Sequence, residues 1–421
     1  MEFSNELLNL ASEANAALTG IFAELDETSR INTTRILNSF ASHHVSETMF
    51  AYTTGYGYDD RGRDVLDEIF ADVFGCEDAM VRHNIVNGTH AISTALFGVL
   101  RPGDVMISVT GKPYDTLDEV IGVTGTPGNG SLADYGIKYR QIDMIDGKCV
   151  DIEAVKAAVK EEGKNAKLVF IQRSKGYMNR RTLTVKEIGE VVKAVKSVNP
   201  ETLVAVDNCY GEFTEAMEPG HVGADLMMGS LIKNPGGGMA ETGGYIAGTK
   251  KAVELASYRL TSVGVGKEVG CSLAVLRNFY KGLFYAPHTV AQAIKTAHFA
   301  AYIFEKLGYE VEPAWNEKRS DIIQTVIMGS AEGLCAFCRG IQYGSPVDSF
   351  VTPEPWAMPG YSDEVIMAAG AFVQGSSIEL SADGPVRPPY TAFLQGGLTY
   401  ESGMYGILSA ASEVMKNMER G

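Results

Sequence analysis

Between residues 61 and 285 the chain repeats one pattern: a short apolar run, a switch to polar or glycine residues, then a helical stretch. Asp104-Val-Met-Ile-Ser-Val109, Lys167-Leu-Val-Phe-Ile171, Thr202-Leu-Val-Ala-Val206 and Asp225-Leu-Met-Met-Gly-Ser-Leu-Ile-Lys233 are continuous rather than alternating, so each predicts a strand covered on both faces. Asp151 to Lys160 and Thr184 to Val198 carry the period of helices. Strands that alternate with helices predict an α/β domain, a mostly parallel sheet with helices on both faces, over 61–285.

The flanks follow other rules. Residues 1–60 read as an amphipathic helix, with Leu7, Leu8, Ala11, Ala14 and Leu18 on one face, followed by a polar arm rich in Thr, Ser and Tyr. A single protomer cannot bury such an arm, which predicts a homo-oligomer. Beyond Pro287 the pattern becomes a long helix (His288 to Leu307), then strands around Ile322 to Ile327 and Phe372 to Leu380, with a Pro-rich loop at 346–360 between them. Residues 286–421 are therefore expected to form a smaller α+β domain. The 421 residues, 45% hydrophobic, suffice for two cores, and the net charge of −16 disfavours nucleic-acid backbones and anionic membranes as partners. No apolar run approaches a membrane span, and Met1-Glu-Phe-Ser-Asn-Glu6 lacks a basic stretch leading into an apolar one. Six scattered cysteines read as reduced thiols, so the expected compartment is the cytoplasm.

Chemistry gathers at the ends of the apolar runs. Lys233 leaves its strand for the glycine-rich bend Asn234-Pro-Gly-Gly-Gly238, a setting in which burial is expected to lower the amine's pKa and make it a nucleophile for aldehydes. Asp207 ends the Thr202 run at Asp207-Asn-Cys-Tyr-Gly211, and crevices outside such strand ends are where open α/β sheets bind ligands. Singly, the aspartate reads equally well as a turn residue and the lysine as a solvated charge. Together they fit pyridoxal phosphate, which needs a Schiff-base lysine and a carboxylate against its pyridine nitrogen. Asn87-Gly-Thr-His90 opens a helix whose first-turn N–H groups at Gly88 and Thr89 suit a phosphate, although taken alone it is a helix cap. Ser230 adds a hydroxyl, and Tyr114, beyond the Asp104 strand, offers an aromatic face for a flat ring or for mere packing.

Other patterns lead nowhere. Cys335-Ala-Phe-Cys338 has no second pair to complete a zinc site, His43-His44 has no third ligand in view, and Gly264-Val-Gly-Lys-Glu-Val-Gly270 misses the dinucleotide spacing.

Phosphate turn, stacking tyrosine, strand-end aspartate and Ser-x-x-Lys occur in the order that resembles the large domain of fold-type I pyridoxal-phosphate enzymes, in detail the cystathionine and methionine γ-lyase group. Thr54-Gly-Tyr-Gly-Tyr-Asp-Asp-Arg-Gly-Arg-Asp64, Leu231-Ile-Lys-Asn-Pro-Gly-Gly-Gly238 and Ser349-Phe-Val-Thr-Pro-Glu-Pro-Trp356 resemble the bacterial branch named for aluminium resistance. The resemblance implies Lys233 as Schiff-base lysine and proton carrier, Asp207 at the pyridine nitrogen, Tyr114 on the ring and assisting at the leaving group, and Gly88, Thr89 and Ser230 at the phosphate. It implies too that Tyr56 and an arginine, Arg61 or Arg63, reach the phosphate in a neighbouring subunit, giving a dimer with shared sites or a tetramer. Arg387 is the candidate for the substrate carboxylate, with Arg173 in reserve. The implied activity is elimination at Cβ or Cγ of a sulfur-containing amino acid. A replacement enzyme, a transaminase or a cofactor-holding regulatory protein would use the same constellation. Gln172-Arg-Ser-Lys-Gly176 and Leu231-Ile232 depart from the pattern of the better-studied lyases.

Overall fold

The structure, a computed structural model, describes residues 3–178, 180–358 and 363–418. The chain's first two residues and the end of the Pro-rich loop lie outside them. Ser4 opens helix α1 (Asn5–Ser42) by accepting from Leu7 N. Leu7, Ala11, Ala14 and Leu18 are buried as expected, but Leu8 is 47% exposed, because one residue along a helix turns the side chain about 100° off the face.

After the arm come α2 (Arg61–Phe74), β1 (Asp78–Arg82), α3 (Gly88–Val99), β2 (Val105–Ser108), α4 (Asp118–Ile121), β3 (Lys138–Gln141), α5 (Ile152–Glu162), β4 (Ala166–Gln172), α6 (Val185–Val198), β5 (Leu203–Asp207), β6 (Leu226–Ser230), β7 (Gly244–Gly248) and α7 (Lys250–Leu260). The seven strands form one sheet in the order β1-β7-β6-β5-β4-β2-β3, parallel throughout except that β7 runs against both neighbours. Alternate strand residues feed two apolar layers. Ile107, Val169, Val204 and Met227 pack with α2, α5 and α6, whereas Met106, Phe170, Ala205 and Met228 pack with α3 and α7. This is the predicted α/β sheet with helices on both faces.

The second part is built from α8 (Leu276–Lys306), β8 (Glu310–Glu312), β9 (Ile323–Ile327), α9 (Ala331–Tyr343), β10 (Trp356–Ala357), β11 (Glu364–Ala368), β12 (Ser381–Pro385), β13 (Thr391–Gln395) and α10 (Tyr400–Met418). Its six strands form a wholly antiparallel sheet in the order β10-β11-β12-β13-β9-β8. Two expectations are corrected here. The helix expected to begin at His288 begins at Leu276 and runs through Pro287, so the boundary placed at 285/286 cuts a continuous helix. The cores change hands further along it: residues to Ile294 belong to the large core and those from Phe299 to the small one. Phe372 to Leu380 is not a strand. The Glu379 carboxylate accepts from the N–H groups of Phe372 (2.6 Å) and Val373 (2.9 Å), and Gly375 takes φ +80°, which folds the segment into turns.

The arm is tied to its own chain. Arg63, buried, donates to the carbonyls of Gly57 (2.8 Å) and Gly270 (2.7 Å), and Thr53 bonds Ser272 and Asp60. Its tyrosines nonetheless face outward, Tyr52 and Tyr58 at 64% and Tyr56 at 75% exposure. No helix among the described residues is long and apolar enough to cross a membrane.

Candidate active site

Three parallel strands deliver the site. Asp207, the last residue of β5, sits between Gln172 of β4 and Met228 of β6 in the ladder, and Ser230 ends β6. Lys233 follows three residues later, ahead of a one-turn helix Asn234–Gly236. Glycine is required in that turn: a Cβ on Gly236 would stand 1.7 Å from the Leu231 carbonyl oxygen, and one on Gly237, at φ +54°, would stand 2.4 Å from that of Gly282 in α8. The bend is thereby pressed onto α8.

The Lys233 ammonium lies over the ring of Tyr210, 4.0 Å from its centre. Burial acts to lower its pKa, but its interactions with Cys209, Tyr210 and Asp207 outweigh burial and raise it. The expected lowering is thus reversed, and the amine is held protonated. Asp207 is buried and accepts from Cys209 N at 3.1 Å. Burial pushes its carboxyl up, opposed first by the Lys233 charge.

The residues expected at a phosphate, Gly88, Thr89 and Ser230, lie close together. Asn87 caps α3 by accepting from His90 N at 2.8 Å, and the first intrahelical bond runs from Ala91 N to the Asn87 carbonyl, so the N–H groups of Gly88 and Thr89 precede the ladder. A Cβ on Gly88 would meet Cys209 Sγ at 3.0 Å and Ser230 Cβ at 3.7 Å, so a glycine lets α3 come close to the ends of β5 and β6. Ser230 Oγ is buried there with no hydrogen-bond partner. Thr89 Oγ1 bonds Thr116 Oγ1 at 2.7 Å. An orphaned hydroxyl, a helix N-terminus, a strand-end carboxylate and an ammonium fit pyridoxal phosphate, with Ser230, Gly88 and Thr89 as its phosphate donors.

Tyr114 is half-buried, its ring 5.9 Å from that of Tyr177, on the loop after β4. The two arginines expected at the substrate carboxylate fare differently. Arg173 is fully buried and spends its donors on Asn208 Oδ1 (2.9 Å), Gly211 O (2.8 Å), Leu183 O (3.3 Å), Thr214 Oγ1 (3.2 Å) and Glu215 Oε1 (2.7 Å), which corrects its reading as a substrate ligand: it braces the loop after β5. Arg387 is exposed and paired with Asp363 at 2.5 Å, at a cavity also lined by Lys175, Tyr177 and Glu312. Lys175 is buried, with Glu312 Oε2 no closer than 3.7 Å. Arg61 is exposed, whereas the buried Arg63 is committed to the arm.

Several site residues escaped sequence reasoning. Tyr210 OH bonds Ser377 Oγ at 3.0 Å, and Ser376 Oγ donates to the Ile232 carbonyl at 2.8 Å, so the turns at 372–380 close over the lysine segment. Beneath it, Glu212 accepts from Tyr245 OH at 2.9 Å with its other oxygen unpartnered, and burial pushes its carboxyl up to about 8. Glu-Phe after Gly211 carried no periodic signal that could have shown this. Asp383 of β12, in the small domain, keeps its Oδ1 buried without a hydrogen-bond partner, and burial pushes its carboxyl up to about 7.

Known proteins bear on this geometry. A carbon-sulfur lyase involved in aluminum resistance from Clostridium novyi NT superposes with a TM-score of 0.94 at 49% identity, covering 97% of this chain and 96% of its own. The protein YnbB of Bacillus subtilis strain 168 is 54% identical over 411 residues, 97% of each chain. The pyridoxal-5'-phosphate dependent protein YhfS of Escherichia coli shares the fold at a TM-score of 0.61 and 16% identity. The methionine gamma-lyase family model matches residues 7–415, and the chain belongs to that family.

Proposed function

We propose that the chain is a pyridoxal-phosphate-dependent carbon–sulfur lyase that acts on a sulfur-containing amino acid by β- or γ-elimination. The observation that carries this reading is the meeting of Lys233, Asp207 and the unpartnered Ser230 hydroxyl at the ends of the adjacent strands β5 and β6. Bound there, the cofactor supplies an electron sink for the bonds at the substrate Cα. Asp207 holds a proton at the pyridine nitrogen, Ser230, Gly88 and Thr89 bind the phosphate, and Tyr114 fixes the ring plane. Lys233 attaches the cofactor and moves the proton at Cα. Tyr210, under the amine and anchored to Ser377, sets the direction from which it acts. The substrate carboxylate is received at the Lys175–Arg387 cavity, where a buried ammonium and a guanidinium stand on the small-domain side of Tyr177. Tyr56 and Arg61, both exposed, suit contact with a second copy of the chain and its phosphate.

Purified protein should absorb as a pyridoxal Schiff base and, with S-alkyl cysteine, cystathionine or methionine, release a thiol with pyruvate or 2-oxobutanoate. Ketoacid without thiol release would indicate transamination, and spectral shifts without products a binding role; either result rejects the lyase reading.

A further inference from the structure

Alternate residues along a strand share a face, and Phe170, Ala205 and Met228 pack on the α3 side of the large sheet. Two residues further on, the same parity puts Gln172, Asp207 and Ser230 on that side, at the ends of the adjacent strands β4, β5 and β6. The ladder sets Gln172 directly beside Asp207. Both outer members of this row carry an orphaned atom: Gln172 Oε1, like Ser230 Oγ, is buried with no hydrogen-bond partner among the described residues. The rest of Gln172 is satisfied. Its N–H donates to Thr110 Oγ1 at 3.1 Å and its carbonyl accepts from Arg180 Nη2 at 2.8 Å. Its side-chain nitrogen donates to the Ser174 carbonyl at 3.1 Å, which settles which end of the amide is nitrogen. Gly176, at φ +56°, lets this amide meet Tyr114: a Cβ there would stand 3.0 Å from Gln172 Nε2 and 3.2 Å from Tyr114 Cδ2. A buried amide oxygen without a donor is costly, so its place in the row calls for a donor that the protein does not supply.

We propose that Gln172 Oε1 accepts a hydrogen bond from the ring hydroxyl of pyridoxal phosphate. The inference rests on the cofactor reading above. On the pyridine ring the nitrogen and the aldehyde-bearing carbon lie opposite each other, with the phosphate arm on one flank of that axis and the hydroxyl on the other. Asp207 takes the nitrogen and Ser230, on the β6 side, the phosphate. The hydroxyl then falls on the β4 side, where Gln172 stands. With Lys233 at the aldehyde, each polar group of the cofactor has its own residue. Contacts from three strand ends keep the ring from turning in its plane, which holds the aldehyde carbon toward the lysine.

A cycle of binding measurements tests this. In equilibrium dialysis, the wild type's preference for pyridoxal phosphate over 3-deoxypyridoxal phosphate, which lacks the hydroxyl, should exceed that of Gln172→Met by about 10-fold. Equal preferences overturn the proposal, because a residue that only braces Ser174 would weaken both ligands alike. Should Gln172→Met fail to fold, Gln172→Asn, one methylene shorter, replaces it under the same criterion. Wild-type protein that takes up neither aldehyde would reject the cofactor reading itself, and this contact with it.

Discussion

The Lys233 ammonium rests 4.0 Å from the centre of the Tyr210 ring, and Tyr210 is held at a left-handed φ of 72° with its hydroxyl on Ser377. A tyrosine in that conformation costs about 1–3 kcal/mol, which the ring's contact with a desolvated cation offsets in part, at about 2 kcal/mol. Backbone strain is therefore used to place an aromatic face under the Lys233 amine.

Lys233→Ala is expected to abolish covalent attachment of pyridoxal phosphate and lower turnover by at least about 10³-fold, since both the attachment point and the Cα proton carrier are lost. Mass spectrometry after borohydride reduction checks this: a cofactor adduct retained on the variant would refute the lysine assignment.

Ser230→Ala separates binding from folding. Its hydroxyl has no partner in the protein, so the melting temperature of the cofactor-free chain should hold or rise. Loss of a donor to a dianion should weaken cofactor affinity by about 10-fold or more. Thermal melts without cofactor and equilibrium dialysis with it give the two numbers.

Arg173→Met and Arg387→Met should behave oppositely. The first strips Glu215 and the buried Glu218 of a partner inside the protein and should destabilise it by about 3–5 kcal/mol in denaturant unfolding. The second removes an exposed pair worth less than about 1 kcal/mol and should instead raise KM for the amino acid. A stable Arg173 variant with a raised KM would return that arginine to the substrate site.

Glu212 gives stability a slope with pH. An ordinary glutamate ionises near 4.5, whereas burial pushes this one up to about 8 in the fold. Across that window the folded state keeps a proton that the unfolded state has released, so stability falls as pH rises. Glu218, raised to about 7, acts in the same direction. Glu212→Gln should flatten the decline in melting temperature between pH 5 and 8 (a window from about 4.5 to about 8); an unchanged slope would show that Glu212 ionises normally.

The large domain was legible because both faces of its sheet are covered: strands buried on two sides appear as unbroken apolar runs, and Asp207, Ser230 and Lys233 stand where those runs stop. The small domain's share of the site was not. Ser377 reaches Tyr210, and Ser376 the lysine's own segment, through tertiary placement that no local period records, and the turns at 372–380 depend on a carboxylate, Glu379, that closes on N–H groups six and seven residues back. Arg173 shows the same limit from the other side. A guanidinium next to a strand end reads as a ligand until the carbonyls that surround it are known. Pro287 misled for a local reason: Leu283, Ala286 and Val290 on the same helix are buried in the large core, and their packing keeps the helix continuous through a missing N–H.

Helix α1, about 57 Å long at 1.5 Å per residue, inserts Leu7, Ala11, Ala14 and Leu18 into one core and Ile36 into the other. Two bodies riveted to a single rod cannot swing apart unless the rod bends or one row of rivets pulls free. Traffic into the lysine cleft then falls to the segments laid across its mouth, chiefly the turns that carry Ser376 and Ser377, and the jaw itself stays fixed while its gatekeepers move.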